Sequence, residues 1–444
     1  GYTVPAAQAG MARGVLMALI ADENRWRRLV EECFRREAGP EATIPDPAQD
    51  LIETGMLDSM GWVSFLRALE SASGLHDLGA QLTESTPSLA NIFQALRKSQ
   101  SESHSIAADS FHSKQTTKRS PVLLASSCAV VGSRTIPSQE VDRAFGMPDG
   151  KLRLRAGIES LAYAAEDENE LTLGVRAAQQ ALRSASCGIQ QLDWIIATSE
   201  THRAYPSLAA LLHSQLLARE NCGALDVGGA CLGLLNAFAV AQGLINSGQA
   251  RTILVVTADV HSHIFRPGQV AGEFGGLFGD GSSAFLLRAS AGVAPQHTYA
   301  LGEFFFGCAG QYAGAIRVAP AADGSLDAHF DGEALSRAAI TRLEKVVREA
   351  ELRSGIALSA LRGLATHQPN PRLVKLLAKQ LGLPEDKFPS VAQTFGNLGS
   401  STCGVALHAV LQTGHDLQPH EYAPIFLASL GPGLLFGGGW LLAG

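Results

Sequence analysis

The sequence predicts a large α/β unit preceded by a small all-helical one. Three observations carry this. From residue 121 onward, short apolar runs alternate with helix-length stretches, the pattern of a layered α/β domain. Residues 1–98 contain helix-like segments in a three-helix pattern. Between the two, residues 99–120 are rich in Ser, Thr, Gln, Lys and His, and their near lack of large apolar side chains marks a flexible linker.

In the first unit, helices are expected at 25–36, 60–71 and 88–98, with a Pro-rich loop after the first. The linker's root-mean-square reach is about 25 Å, and tethering of this kind holds a ligand at roughly millimolar local concentration. In the larger unit (121–444), strands are expected near 122–131, 194–199, 224–228, 252–258 and 284–287, interleaved with helices at 170–184, 207–219 and 231–247. The later part repeats the alternation. Strands at 361–366 and 390–394 are followed by helices at 372–381 and 400–413, and another helix is expected at 332–352.

Bulk properties exclude several classes. A net charge of −7 offers no basic face for nucleic acid or an anionic membrane. Seven cysteines, an odd number without CxxC spacing, argue for a reducing, cytoplasmic setting and against a disulfide framework or a metal site. No signal peptide is recognised and no apolar run of about 20 residues suits a membrane span. Gly1 in first position suggests a processed or truncated chain.

Cys231 is the first candidate for chemistry. It lies in Gly228-Gly-Ala-Cys231-Leu-Gly233, between a buried strand-like run and a helix that is apolar on nearly every face. A thiol at a helix N-terminus feels unpaired N–H groups and the positive dipole end, so its pKa is expected below the usual 8.5 or so. The competing reading is a small core cysteine. Two polar residues downstream favour the nucleophile. His367 follows the strand at 361–366, and Asn397 follows the one expected at 390–394. Both would sit at strand C-termini, where α/β folds place their chemistry.

These blocks together resemble the ketosynthases of the β-ketoacyl-ACP synthase III (KAS III) type. The matching segments are Thr201-His-Arg-Ala-Tyr205-Pro206, Asp226-Val-Gly-Gly-Ala-Cys231, Phe278-Gly-Asp280-Gly281, His367-Gln-Pro-Asn370, Gly396-Asn397 and Leu430-Gly-Pro-Gly-Leu434. The resemblance implies the duplicated, five-layered αβαβα thiolase fold, a homodimer with Tyr205 reaching across, and the triad Cys231, His367 and Asn397. It also implies that Cys231 takes the acyl group of a thioester. His367 and Asn397 would then bind the enolate left when a β-carboxyacyl thioester on a carrier protein loses CO2.

Two other readings stay open. One is acyl transfer to an alcohol or amine without carbon–carbon bond formation; the other is a non-catalytic acyl-binding scaffold. The chain also departs from the family pattern. Lys151 stands where acyl-CoA-dependent relatives commonly carry an adenine-stacking tryptophan, which puts CoA in doubt as the donor. Pro432 has no N–H for an oxyanion, so a donor from the closing loop would be Gly431 or Gly433. Arg372 resembles a basic position used for carrier docking.

In the first unit, Gly55-Met-Leu-Asp58-Ser59-Met60-Gly-Trp62 resembles the attachment signature of acyl and peptidyl carrier proteins. Alone, Asp-Ser is also an ordinary helix cap. The resemblance implies 4'-phosphopantetheine on Ser59, installed by a phosphopantetheinyl transferase. Met56-Leu-Asp-Ser-Met-Gly61 is similar to carriers loaded by adenylating ligases, such as the D-alanyl carrier protein.

Overall fold

The computed structural model describes residues 26–73, 82, 86–102, 121–290, 298–320, 326–413 and 422–443. The chain divides into two compact units, a small one with the N-terminal helices and a large one with nearly all residues from 121 onward.

In the small unit, helices cover residues 26–38, Ser59–Ser73 and Leu89–Glu102. They share a core of Val30, Phe34, Leu57, Trp62, Phe65, Leu69, Ile92 and Leu96. Asp58 caps the second helix, its Oδ1 accepting from the Gly61 N–H at 2.7 Å. The third helix runs through 99–102, past the boundary expected from composition; the remaining linker positions, 103–120, lie outside the described residues, as do 1–25.

The large unit is organised by a nine-stranded sheet. Its strands are β1 (Val122–Val131), β4 (Trp194–Thr198), β5 (Gly223–Asp226), β6 (Thr252–Val260), β7 (Asp280–Ala289), β8 (Tyr299–Cys308), β11 (Gly363–Thr366), β12 (Ile425–Gly431) and β13 (Leu435–Ala443). Two small antiparallel pairs lie outside it: β2 (Arg134–Pro137) with β3 (Ser160–Tyr163), and β9 (Ile316–Pro320) with β10 (Leu326–Phe330). The order β11-β12-β13-β8-β1-β7-β6-β4-β5 contains one motif twice. From β1 outward the pairings run antiparallel to β7, antiparallel to β6 and parallel to β4. From β8 outward they run antiparallel to β13, antiparallel to β12 and parallel to β11. A short antiparallel contact of β1 with β8 joins the halves. This is the internal duplication that the resemblance implied.

The helix Gly233–Asn246 and the helix Ser401–Gln412 hold corresponding places in the two halves. Each touches strands of both, and one apolar cluster unites Leu234, Phe238 and Ala241 with Cys403, Ala406 and Leu407 and with strand residues such as Val255, Phe285 and Leu427. Their lack of a polar face follows from that central position. Amphipathic Glu170–Ser184, started by an Asn169–Thr172 capping box, packs instead on the other face of the β1–β7–β6–β4 sheet through Ala177, Ala178 and Ala181. The strands at the centre are buried throughout, β6 reading Ile253-Leu-Val-Val256 as sheets covered on both faces do.

Candidate active site

Cys231 sits on a single helical turn, Ala230–Leu232, between β5 and the central helix Gly233–Asn246. The bend is enforced locally. Gly229 has φ 130, and a Cβ there would come within 2.3 Å of Asn236 Nδ2, which donates to the Gly228 carbonyl at 2.9 Å. Ala230 has φ 48, a left-handed conformation that costs an alanine about 1–2 kcal/mol. From the other half, Ser429 Oγ donates to the Cys231 carbonyl at 2.7 Å. Gly431 lies against the turn as well, a Cβ built on it falling 3.4 Å from Cys231 N. Gly433 has no such approach to Cys231.

His367 follows β11 as expected, its N–H donating to Ala428 on the neighbouring strand at 3.1 Å. Asn397 does not follow a strand. Residues Val391–Phe395 form a short helix, because the neighbouring Gln368 caps it: its Oε1 accepts from the N–H groups of Val391 and Ala392, at 3.1 and 3.2 Å. The alternation at 390–394 is therefore overridden by a tertiary hydrogen bond from the residue next to His367. Asn397 then pairs with the end of the Phe278 turn, donating from its N–H to Leu277 and accepting from Gly279.

The Asn397 side chain is oriented by its surroundings. Its Oδ1 accepts from the Gly399 N–H at 3.0 Å and lies 3.2 Å from Thr402 Oγ1. The backbone donor assigns that atom as oxygen, and among the described residues the Nδ2 hydrogens meet no acceptor. Asn397 and His367 are 4% and 3% exposed, Cys231 8%.

Two further residues belong to the site and escaped the sequence reading. Glu200 ends the segment after β4, and His261 follows β6; both lie at carboxyl ends of parallel strands, the rule that selected His367. His261 Nε2 is 3.5 Å from Glu200 Oε2, an ion-pair distance too long for a good hydrogen bond, and neither that nitrogen nor Glu200 Oε1 has a hydrogen-bond partner among the described residues. The imidazole is held between Gly279, whose carbonyl faces Nδ1 at 3.3 Å, and the ring of Phe278, 4.5 Å centroid to centroid. Gly399 abuts both: its Cβ would be 2.4 Å from His261 Cε1 and 3.1 Å from Glu200 Cδ, and its φ is 59. Behind the site, fully buried Asp259 accepts from the Glu200 N–H and from Ser400 and Ser401.

The electrostatics differ from those expected of a helix-start thiol. Burial, then the charges of Glu200 and Asp259, push the Cys231 thiol well above its ordinary range. The helix end is outweighed, so the resting sulfur is a thiol. Burial would also raise the Glu200 carboxyl, yet His261, with smaller contributions from Cys231 and His367, brings it below the usual value. His261 is raised: burial opposes its charge, but Glu200 and Asp259 prevail. Burial lowers His367 to about 4, so this ring is neutral at pH 7. The site thus sets a thiol, a carboxylate, a neutral imidazole and an oriented amide together.

Elsewhere, Lys151 Nζ is 2.9 Å from Glu273 Oε1, and Arg372 Nη1 donates to the Arg155 carbonyl at 3.1 Å. Tyr205 is 99% exposed, and Leu225 on the sheet-edge strand β5 is also exposed. Ser59 is the first residue of its helix, one position past the Asp58 cap. Among the described residues, no helix is long and apolar enough to cross a membrane.

Comparisons with known proteins bear on the family and the fold. Residues 225–307 match the family model 3-oxoacyl-(acyl-carrier-protein) synthase III, and residues 352–442 match its C-terminal model. The β-ketoacyl-(acyl-carrier-protein) synthase III of Ruegeria sp. (strain TM1040) is 30% identical over 315 residues, covering 68% of this chain and 93% of that protein. Among solved structures, the priming β-ketosynthase of a polyketide biosynthetic pathway superposes with a TM-score of 0.66 at 24% identity, covering 75% of this chain and 99% of the other. OleA of Xanthomonas campestris, solved with lauric acid and lauroyl-CoA, gives a TM-score of 0.65 at 20% identity, covering 72% and 99%. None of these alignments reaches across the whole chain.

Proposed function

Because the chain belongs to the β-ketoacyl-(acyl-carrier-protein) synthase III family, we propose that its large unit carries an acyl group on Cys231 and condenses it with a carrier-bound β-carboxyacyl thioester. The observation that carries this reading is the Asn397 amide, turned by Gly399 so that its N–H groups are left for a substrate oxygen. In the loading step, Cys231 sulfur attacks the thioester carbonyl, with the N–H groups of Cys231 and Gly431 as the proposed oxyanion donors. In the second step, loss of CO2 leaves an enolate. Neutral His367 and Asn397 donate hydrogen bonds to its oxygen, and the enolate carbon attacks the acyl-cysteine, releasing Cys231. Plain acyl transfer gives Asn397 no comparable task, so it is the second reading.

The small unit is proposed to be an acyl carrier. Its three-helix core and the surface placement of Thr54, Gly55 and Asp58 beside Ser59 suit a prosthetic arm that must leave the domain. Ser59 would hold 4'-phosphopantetheine, which supplies a thiol for acyl thioesters. The Lys151–Glu273 pair, in the place of a stacking ring, favours a carrier thioester over CoA as acyl donor. The partners proposed are a phosphopantetheinyl transferase, an adenylating ligase that loads the carrier, and a second copy of this chain. Tyr205 and the β5 edge are the surfaces proposed for that dimer.

Incubation with a phosphopantetheinyl transferase and CoA is expected to add one arm, and Ser59→Ala to abolish it. The large unit, given an acyl donor and a malonyl-carrier, is expected to release CO2. No arm on Ser59 refutes the carrier; acyl transfer without CO2 release refutes condensation.

A further inference from the structure

KAS-type chemistry on Cys231 requires the thiol proton to go somewhere, and the environment does not hold a thiolate in advance. A base with unspent capacity in this site is the Glu200 carboxylate. Its Oε1 is buried and without a partner, while Oε2 faces the His261 ring at 3.5 Å. Its backbone is fixed by Asp259, and Gly399 closes the space beside its Cδ, so the carboxylate has little room to swing away. Glu200 and Cys231 follow the carboxyl ends of the neighbouring parallel strands β4 and β5, and the Glu200 charge opposes ionisation of the thiol. Among the described residues no neighbour consumes it for structure alone: the buried acid that ties the loops together is Asp259, and Glu200 is bound to His261 loosely.

We propose that Glu200 is the acid–base residue of the acylation step, accepting the Cys231 proton as sulfur attacks the thioester and returning it to the departing thiol. The balance closes within the site. The Cys231 S–H bond breaks and its S–C bond forms; the thioester C–S bond breaks, and the proton leaves on the carrier thiol. His261 is then a positioning residue that keeps the carboxylate ionised and aimed. After condensation the released Cys231 sulfur recovers a proton by the same route, drawn from water. This rests on the reading of Cys231 as the acylated residue.

The test compares two reactions of the same sulfur by mass spectrometry of the Cys231 peptide: acylation by an acyl-carrier or acyl-pantetheine thioester, and alkylation by iodoacetamide. Alkylation needs thiolate but no proton delivered to a leaving thiol. In Glu200→Gln the negative charge that opposes thiolate is gone, so alkylation at pH 7 is expected to hold steady or rise several-fold. Acylation is expected to fall by about 100-fold or more, in the range of general acid–base catalysis. Glu200→Asp, a shorter acid, is expected to recover part of the acylation rate. Slowing of both reactions together, or acceleration of both, overturns the proposal. Failure of the wild-type protein to acylate Cys231 at all would instead overturn the functional reading beneath it.

Discussion

Asn397→Leu separates condensation from loading. Leucine fills nearly the same space but offers no donor to an enolate. One oriented donor of this kind is worth about 3 kcal/mol in the transition state, or roughly two orders of magnitude in rate. The structural side effect can be worked out. Thr402 Oγ1 has a second acceptor, the Gly399 carbonyl at 3.0 Å, so only the buried Gly399 N–H loses its partner. That orphan costs about 1–3 kcal/mol of stability, which lowers the melting temperature without preventing folding. The expected result is a decarboxylation rate, measured as CO2 from a malonyl-carrier, down about 100-fold, with single-turnover acylation of Cys231 unchanged within threefold. If acylation falls as far as decarboxylation, or CO2 release persists, the enolate role of Asn397 is refuted.

Other outcomes follow from the same geometry. His367, depressed by burial from 6.5 to about 4, binds its proton more readily once unfolded. The stability it contributes is complete above pH 6.5 and is lost as pH falls toward 4, in total about 3 kcal/mol at 1.36 kcal/mol per pH unit. Urea melts at pH 7 and 4.5 are expected to show that loss in the wild type and less of it in His367→Gln; equal losses would contradict the assignment. Gly399→Ala drives a methyl into His261 at a left-handed backbone position and is expected to cost about 2–4 kcal/mol in thermal unfolding; a change below 1 would mean the loop yields freely. Tyr205→Asp is expected to shift sedimentation from dimer toward monomer, and an unaltered profile would remove this residue from the interface.

The parts legible in the sequence were those whose cause is local. Cys231 stands out because Gly229 and the apolar helix after it are adjacent in the chain, and His367 because β11 is a plain apolar run. The large sheet's halves could be named from the resemblance, yet the duplication became visible only in pairings between β8 and β13 or β7 and β1, which join distant segments. The residues before Asn397 do not reveal their own conformation, because it is decided by Gln368, more than 20 residues upstream. Glu200 and His261 show the same limit: each sits at a strand end, but their relation depends on β4 lying beside β6. The thiol's resistance to ionisation is tertiary too, arising from burial and from a carboxylate 31 positions away.

Asp259 carries a warning for anyone mapping this enzyme by mutation. It contacts Glu200 through the backbone and the Asn397 loop through two serines, so it fastens a segment from the first repeat to one from the second. Substituting it is expected to lower turnover, although its carboxylate is spent on internal hydrogen bonds. Loss of activity at that position reports a broken clasp rather than a missing reagent, and only a method that reads geometry can tell the two apart.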